Sequence, residues 1–568
     1  MNPDSAGEMV SGDDQQRGAQ DSPSKSSGFL MRGAIISLLI ILAIYLLRLD
    51  KVIGLMTDDA WYVLIAKALA TGGGYTLINS PTPGILPLYP PGFPLLLSFA
   101  YRLSPSFPGN LWLLKSVSIA AMVVSFGVTI RYLVRDRNMP DWLALGVAAG
   151  TALCPPLLFL AVSTVMSDIV FLMFLMLTVY VVERCVESKG TSLEWKFVLL
   201  AAALASYTFL VRSIAISLLL AVLIYFVKER MVRAALIFAV ASALFTGPWM
   251  IYSRIHAPTP QQRLEQGSNI IIPYTEQLWH RLAGDAGSGV ITVKELPTRV
   301  VNNSLEVLGR DTLHILASGI FEKMRDPMKD AEKMIEEGYL RHGDLLPLSL
   351  FLSIFVLIGY FSLLLRKITF AEIAMPLIVG VIVLWPFETI RYMLPLAPFV
   401  LFYFLYGLHA VQGFLQKWIA SDMFPGRWQL AQLALIAIIA LHLYGNLGRY
   451  VFSEDTSVGG LQWSRKFEEI ESLMQRLDLT AKKSDVIIAT NPALLNLYTG
   501  HKTVTWDNPG LRWANWKELK ARYMLWMTFY PMPIDPAERN FKTVYLSRDE
   551  SRFRILDIGD PETRPDWK

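Results

Sequence analysis

Apolar runs about as long as a bilayer is thick recur along the whole chain. They fall at 30–48, 112–132, 141–160, 164–182, 196–211, 213–227, 233–252, 345–364, 369–387, 392–412 and 429–447. About 20 apolar residues in a helix cross a hydrocarbon core. The pattern therefore predicts eleven spans in an α-helical polytopic membrane protein. The pair 196–211 and 213–227 reads equally as two spans or as one helix broken at Ser206-Tyr207 and Arg212-Ser213.

After Tyr450 the pattern changes. Short β-like runs at Asp485–Ala489, Thr543–Leu546 and Phe553–Leu556 alternate with helix-like stretches such as Arg465–Leu477, which predicts a small α/β domain. The opening stretch, 1–28, is rich in Ser, Gly, Asp and Gln and reads as disordered. The membrane domain is then 29–449, with large polar loops at 49–111 and 253–344, and the tail is 450–568. Within 253–344, charges and the helical periodicity of Leu296–Phe321 predict a partly ordered loop with interfacial helices.

Basic residues in short loops set the orientation. With Arg17, Lys25 and Arg32 in the cytoplasm, strict alternation also makes five later loops cytoplasmic. These are the loops at Arg131/Arg135/Arg137, Arg184/Lys189/Lys196, Lys228/Arg230/Arg233, Arg366/Lys367 and Lys417/Arg427. The loop 49–111, the segment 253–344, the turn at Glu388–Arg391 and the tail fall on the outer face. The first span runs into Leu46-Leu47-Arg48-Leu49-Asp50, without a small-residue cleavage site, so it reads as a retained signal anchor.

Composition agrees with this picture. Of 568 residues, 53% are hydrophobic and 18% charged, with net charge +4; the mean hydropathy is +0.39. The two cysteines, Cys154 and Cys185, imply no disulfide framework. The basic residues form no aromatic-lined patch, so no nucleic-acid partner is expected. No His or Cys cluster has metal-ligand spacing, and no P-loop, dinucleotide-binding glycine pattern or Ser/His/Asp motif is present.

The candidate chemistry lies on the outer side. Thr57 is placed to cap a helix from Asp58 to about Ala70, ended by Gly72–Gly74. Trp61, Leu64, Ile65, Ala68 and Leu69 give that helix an apolar face for the membrane surface. Asp58 and Asp59 open it. Acids in a first turn suit the helix dipole; two adjacent carboxylates also repel, so that one holds its proton to higher pH, as a general base requires. Both accounts stand.

Arg391, between two spans joined by almost no loop, is either a fork gripping a phosphate, or a cation that snorkels to the interface or pairs with Glu388. Asp168 and Arg212 map to outer helix ends, where they complete a polar cavity or form a structural bridge. His256 reads as an interfacial histidine. Tyr89, in Tyr89-Pro90-Pro91-Gly92-Phe93-Pro94, suits a rigid turn feeding a second interfacial helix, with a sugar as an alternative stacking partner.

One span, an outer loop from Asp58-Asp59 to Tyr89-Pro90-Pro91-Gly92, many spans, Arg391-Tyr392-Met393-Leu394-Pro395-Leu396-Ala397-Pro398 and an outer α/β tail form an ordered set. Together they resemble the GT-C glycosyltransferases of the protein O-mannosyltransferase and ArnT-like superfamily, glycosyltransferase family 39 and its bacterial relatives. The tail stretch Asp485–Gly500 also looks like the outer domain of bacterial members. The resemblance implies a multi-pass protein of a bacterial inner membrane. It implies a sugar donor linked to a polyprenyl phosphate and delivered within the membrane lipid, and a glycan, lipid or protein acceptor on the outer face.

Carried over by position, Asp58 is the general base of an inverting transfer, with Asp59 completing the catalytic acidic motif. Arg391 stabilises the departing lipid phosphate, and Asp168 occupies the place of a Ser-Glu or Ser-Asp near an outer helix end. A possible divalent cation is left open. The ArnT-like Lys-Pro-Pro is here Tyr89-Pro90-Pro91, which argues against a lipid A aminoarabinose transferase. A transporter or flippase of a lipid-linked or anionic substrate is the alternative, disfavoured by the asymmetric chain. A membrane-anchored scaffold leaves Asp168, Arg212 and Arg391 without purpose.

Overall fold

The computed structural model describes residues 24–54, 57–87, 89–266, 272–282, 285–324, 346–418, 426, 428–451, 461–506, 509–527, 541–546 and 553–559. The disorder expected at 1–23, the end of the long outer segment at 325–344, and Arg427 lie outside these residues.

Helix α1 (Ser24–Arg48) starts inside the stretch read as disordered, and α2 (Asp58–Ala70), α3 (Gly92–Leu103) and α4 (Leu111–Arg135) follow. Next come α5 (Asp141–Leu153), α6 (Pro155–Val162), α7 (Asp168–Glu187), α8 (Glu194–Val211), α9 (Ile216–Lys228) and α10 (Val232–Ile255). The long outer segment supplies α11 (Pro260–Gln266), an antiparallel hairpin of β1 (His280–Leu282) and β2 (Asp285–Val290), α12 (Leu296–Glu306) and α13 (Thr312–Met324). Then α14 (Leu346–Arg366), α15 (Phe370–Leu384), α16 (Ile390–Trp418, one 3-10 turn within it) and α17 (Gln429–Val451) complete the membrane part.

Among the described residues, α1, α4, α7, α8, α10, α14, α16 and α17 are the eight helices long and apolar enough to cross a membrane. The pair α5–α6, bent by 56°, makes a ninth if taken as one span, and α9 and α15 are shorter apolar helices. Each lies on one of the eleven expected segments. The chain is a multi-pass membrane protein.

The α5–α6 bend has a local cause. Pro155 and Pro156 offer no N–H, and proline disfavours helical backbone in the residue before it; Cys154 accordingly sits at φ −56, ψ 116. The carbonyls near the break are bonded elsewhere: Tyr45 Oη donates to Ala152 at 2.8 Å and Asn446 Nδ2 to Leu153 at 2.8 Å. Between α8 and α9 the chain is extended at Arg212, with φ −149 and ψ 128. Lys189 Nζ donates to the Glu229 carbonyl at 2.5 Å, so the far ends of α8 and α9 are neighbours. They run as two antiparallel passes. Helices α14 and α16 cross with their backbones touching: a Cβ on Gly359 would fall 1.8 Å from the Tyr403 carbonyl oxygen.

Four of the five basic loops interlock at one end of the bundle. Arg184 pairs with Asp136, Arg135 with Glu187 at 3.2 Å, Arg137 with Glu372 at 2.6 Å, and Lys228 Nζ donates to Ile368 at 3.0 Å.

The tail contains α18 (Leu461–Thr480), β3 (Val486–Ala489), α19 (Pro492–Thr499), β4 (Lys502–Thr505), α20 (Pro509–Glu518), β5 (Tyr523–Met527), β6 (Lys542–Leu546) and β7 (Phe553–Asp557). Its five-stranded sheet has the order β4-β3-β5-β7-β6, with β3 parallel to β4 and β5 and the other pairs antiparallel. Side chains alternate across it. Ile488, Met524, Trp526 and Leu556 pack with Trp513 and Trp516 on one face. Ile487, Leu525, Met527 and Ile555 belong to the core that continues through α19 into the membrane domain.

Two expectations are corrected here. Helix α2 does not turn its apolar face to the membrane but buries it against protein: Asp59 to Ala66 and Ala68 are all buried. The helix is enclosed between α3 and the tail's α19. The start of α13 is core rather than interface, with Leu313, Ile315 and Leu316 at most 1% exposed.

Candidate active site

Helix α2 ends as its glycines demand. Gly72 takes φ +83, Gly73 N donates to Ala68 at 2.8 Å, and Gly72 N to Leu69 at 3.4 Å. Its start differs from expectation. Thr57 makes no side-chain cap bond and sits at φ 57, ψ −51, a strained conformation for a β-branched residue. The capping work falls to Asp59, whose two oxygens accept Gly54 N and Ala60 N, each at 2.9 Å. Burial pushes the Asp59 carboxyl up to about 6, against the two backbone N–H groups that favour its charge.

Asp58 faces elsewhere. Successive helical residues diverge, and its carboxylate accepts Tyr89 Oη at 2.6 Å and Arg391 Nη1 at 2.5 Å. The Pro90-Pro91 turn thus brings Tyr89 back over the first turn of α2. The Tyr89 phenol is raised well above its ordinary value by burial and then by the Asp58 charge. Its ring lies 4.8 Å from that of Tyr62, one turn along α2 from Asp58.

Arg391, at the start of α16, is shared. Its Nε reaches Asp168 at 3.5 Å, and Asp168 also accepts Arg212 Nη1. Asp168 is fully buried at the start of α7, where the helix dipole suits an anion. Arg212, in the break between α8 and α9, lies 4.8 Å over the Tyr392 ring. Asp58 and Arg391 keep 24% and 22% of their side-chain surface open. Four elements distant in sequence thus meet in one cluster of two acids and two guanidinium groups, remote from the interlocked basic loops.

Asp58, Tyr89, Asp168, Arg212 and Arg391 are brought together; Asp59, Glu388 and His256 are not. Glu388 is exposed, and its charge acts on Arg310. His256 is also exposed, its Nδ1 against the Tyr252 carbonyl of its own helix at 3.0 Å. Sequence reasoning missed Tyr62, whose hydroxyl is 3.1 Å from Ser167 Oγ, though its position four residues after Asp58 placed it on the same helix face. It also missed Lys115, a buried cation inside an apolar run, which bonds Asp50 at 2.7 Å while Asp50 accepts Ser163 Oγ at 2.6 Å. Among the described residues, no group of three or more His, Cys, Asp or Glu side chains is arranged to hold a metal ion.

No family model and no curated protein sequence matches this chain. Solved structures do. The oligosaccharyltransferase of Archaeoglobus fulgidus in its apo form superposes with TM-score 0.54 at 12% identity, covering 88% of this chain and 69% of that one. The archaeal oligosaccharyltransferase AglB, also from Archaeoglobus fulgidus, in complex with an inhibitory peptide and a dolichol-phosphate gives 0.53 at 12% identity with the same coverage. The chain has the GT-C fold. ArnT from Cupriavidus metallidurans in the apo state is also similar, at TM-score 0.49 and 12% identity over 94% of this chain and 98% of that one.

Proposed function

We propose that this GT-C protein is a membrane glycosyltransferase that moves a sugar from a polyprenyl-phosphate donor to an acceptor on the extracytoplasmic face. One observation carries the reading: Asp58, Asp168, Arg212 and Arg391 converge from four elements on a partly open cluster at the end of the bundle away from the basic loops. By the positive-inside tendency those loops are cytoplasmic, which puts the cluster and the tail outside. The archaeal structural neighbour was solved with a dolichol-phosphate, a ligand of the donor's chemical class.

In the proposed reaction the acceptor hydroxyl oxygen bonds to the anomeric carbon as the bond from that carbon to the phosphate oxygen breaks, with inversion. The hydroxyl proton passes to Asp58, and the departing polyprenyl phosphate keeps the electron pair. Arg391, with Arg212 behind it, supplies the guanidinium charge that stabilises the phosphate. A phosphate arriving at Arg391 draws the guanidinium off Asp58 and frees that oxygen for the proton, which orders donor before acceptor. Tyr89 holds the other Asp58 oxygen in place.

The test is transfer from radiolabelled polyprenyl-phosphate sugars to membrane acceptors, wild type beside Asp58→Asn. Label should reach an acceptor only with wild type. Label carried across the bilayer still on its lipid would establish a flippase and end this reading.

A further inference from the structure

The tail motif Asn491-Pro492-Ala493-Leu494 has no part in the cluster, yet it reaches the loop that leads into Asp58. Asn491 is buried and works in two directions. Its Oδ1 accepts Leu494 N at 3.1 Å and caps α19. Its Nδ2 donates to the carbonyl of Gly54 at 3.3 Å. Gly54 N in turn donates to Asp59, which also holds Ala60 N. A chain of three hydrogen bonds therefore runs from the tail to the first turn of α2.

The backbone contact is close. Gly54 has φ +87, and an added Cβ there would lie 2.7 Å from Leu494 Cδ2 and 3.2 Å from Asn491 Nδ2. Only glycine meets both conditions. Three residues on, Thr57 holds its strained φ of 57. Such a conformation persists where the surroundings over-determine it. Thr57 N donates to the Gly54 carbonyl at 3.4 Å, the same oxygen that Asn491 holds, while Asp59 of α2 holds Gly54 N.

We infer that Asn491 is a positioning residue. Through Gly54 and Asp59 it fixes the loop ahead of α2, so the tail sets the geometry of Asp58 without touching it. The inference rests on the reading of Asp58 as the base, and the experiment separates the two.

Asn491→Ser keeps an oxygen for the Leu494 N–H and so keeps the α19 cap, but it removes the amide donor to Gly54. Gly54→Ala disturbs the same contact from the loop side and guards against a folding defect confined to the tail variant. Two readouts are taken on the full-length protein in detergent or nanodiscs: hydrogen exchange of peptides covering 52–60 and 492–499, and transfer kinetics. Exchange over 52–60 should rise several-fold in both variants while 492–499 in Asn491→Ser stays protected. In parallel, kcat should fall about tenfold with donor KM changed less than about twofold, as displacement of a reacting group by a fraction of an ångström produces. Unchanged exchange over 52–60 in Asn491→Ser overturns the inference, and so does raised exchange with unchanged kcat. A wild type that transfers no sugar from any donor overturns the proposed reaction instead. In that case the exchange data still decide whether Asn491 holds the loop.

Discussion

The bundle carries buried charge at both ends, and the two clusters differ in how completely they are satisfied. At the end with the basic loops, Glu372 accepts Arg137 on both oxygens, at 2.6 and 3.1 Å, together with Thr369 N at 3.1 Å and Tyr403 Oη at 3.3 Å. Thr369 and Glu372 also form the capping box of α15. Arg137 lies 5.0 Å over the Phe402 ring, and its side chain and that of Glu372 are 4% and 0% exposed. No surface is left for a ligand.

At the opposite end Asp58 and Arg391 stay partly open, Arg391 reaches Asp168 only at 3.5 Å, and its Nη2 is placed against the Met166 sulfur at 3.9 Å, a weak acceptor. A closed cluster ties helices together; an open one with spare donors can take a substrate. Charge within an apolar bundle is thus a poor guide to function until its saturation is known.

Asp58→Asn tests the open end most severely. Loss of a general base should cut transfer by about 10²–10⁴-fold, with the thermal midpoint nearly unchanged because Asp58 is partly exposed. Glu372→Ala should do the reverse. It strands a buried guanidinium, and breaking such a pair costs about 3–5 kcal/mol. Thermal unfolding should show that loss, with transfer per folded molecule retained. Were Glu372→Ala to abolish turnover in a fully folded protein, the contrast between the ends would collapse.

A smaller effect sharpens the comparison. Arg391→Lys keeps the charge but loses the planar fork, and charge-assisted hydrogen bonds contribute about 1.5–3 kcal/mol each. Donor kcat/KM should fall about 10–100-fold.

Much of this was legible beforehand, for reasons of length and side. Twenty-residue apolar runs located the helices, and the basic loops put Asp58, Asp168, Arg212 and Arg391 on one face. The rest depended on packing. Residue chemistry alone could not tell which of Asp58 and Asp59 faces the cluster, since adjacent helical residues point apart and the surroundings choose between them; only the family resemblance favoured Asp58. Strands β4 and β5 escaped because Lys502–Thr505 is short and Tyr523–Met527 is a continuous apolar run, which lacks the alternation of a half-exposed strand. The burial of α2 depends on the tail, more than 400 residues away, whose Asn491 meets Gly54 at |i−j| = 437. Thr57 had the right chemistry for a cap and the wrong backbone.

Asp59 gives the last and smallest test, because it is a buried acid held by two backbone N–H groups and placed next to the open one. Its folded value of about 6 lies above the ordinary carboxylate value of roughly 3.9. The folded state therefore binds this proton more tightly than the unfolded state. The contribution to stability is fully present below the unfolded value and is lost as pH rises through about 6. Lowering pH from about 7.5 to 5.5 should thus stabilise the fold by about 1 kcal/mol through this group. Asp311, raised to about 6 by burial, adds a part of the same sign. Asp59→Asn keeps one acceptor oxygen, lowers stability at every pH and removes only its own share of the pH dependence. The wild-type-minus-variant difference in thermal midpoint cancels the other titrating groups, and it should shrink steadily from pH 5.5 to 7.5. A flat difference would mean that Asp59 is ionised throughout. The two neighbouring carboxylates would then differ in what they touch but not in how they hold a proton.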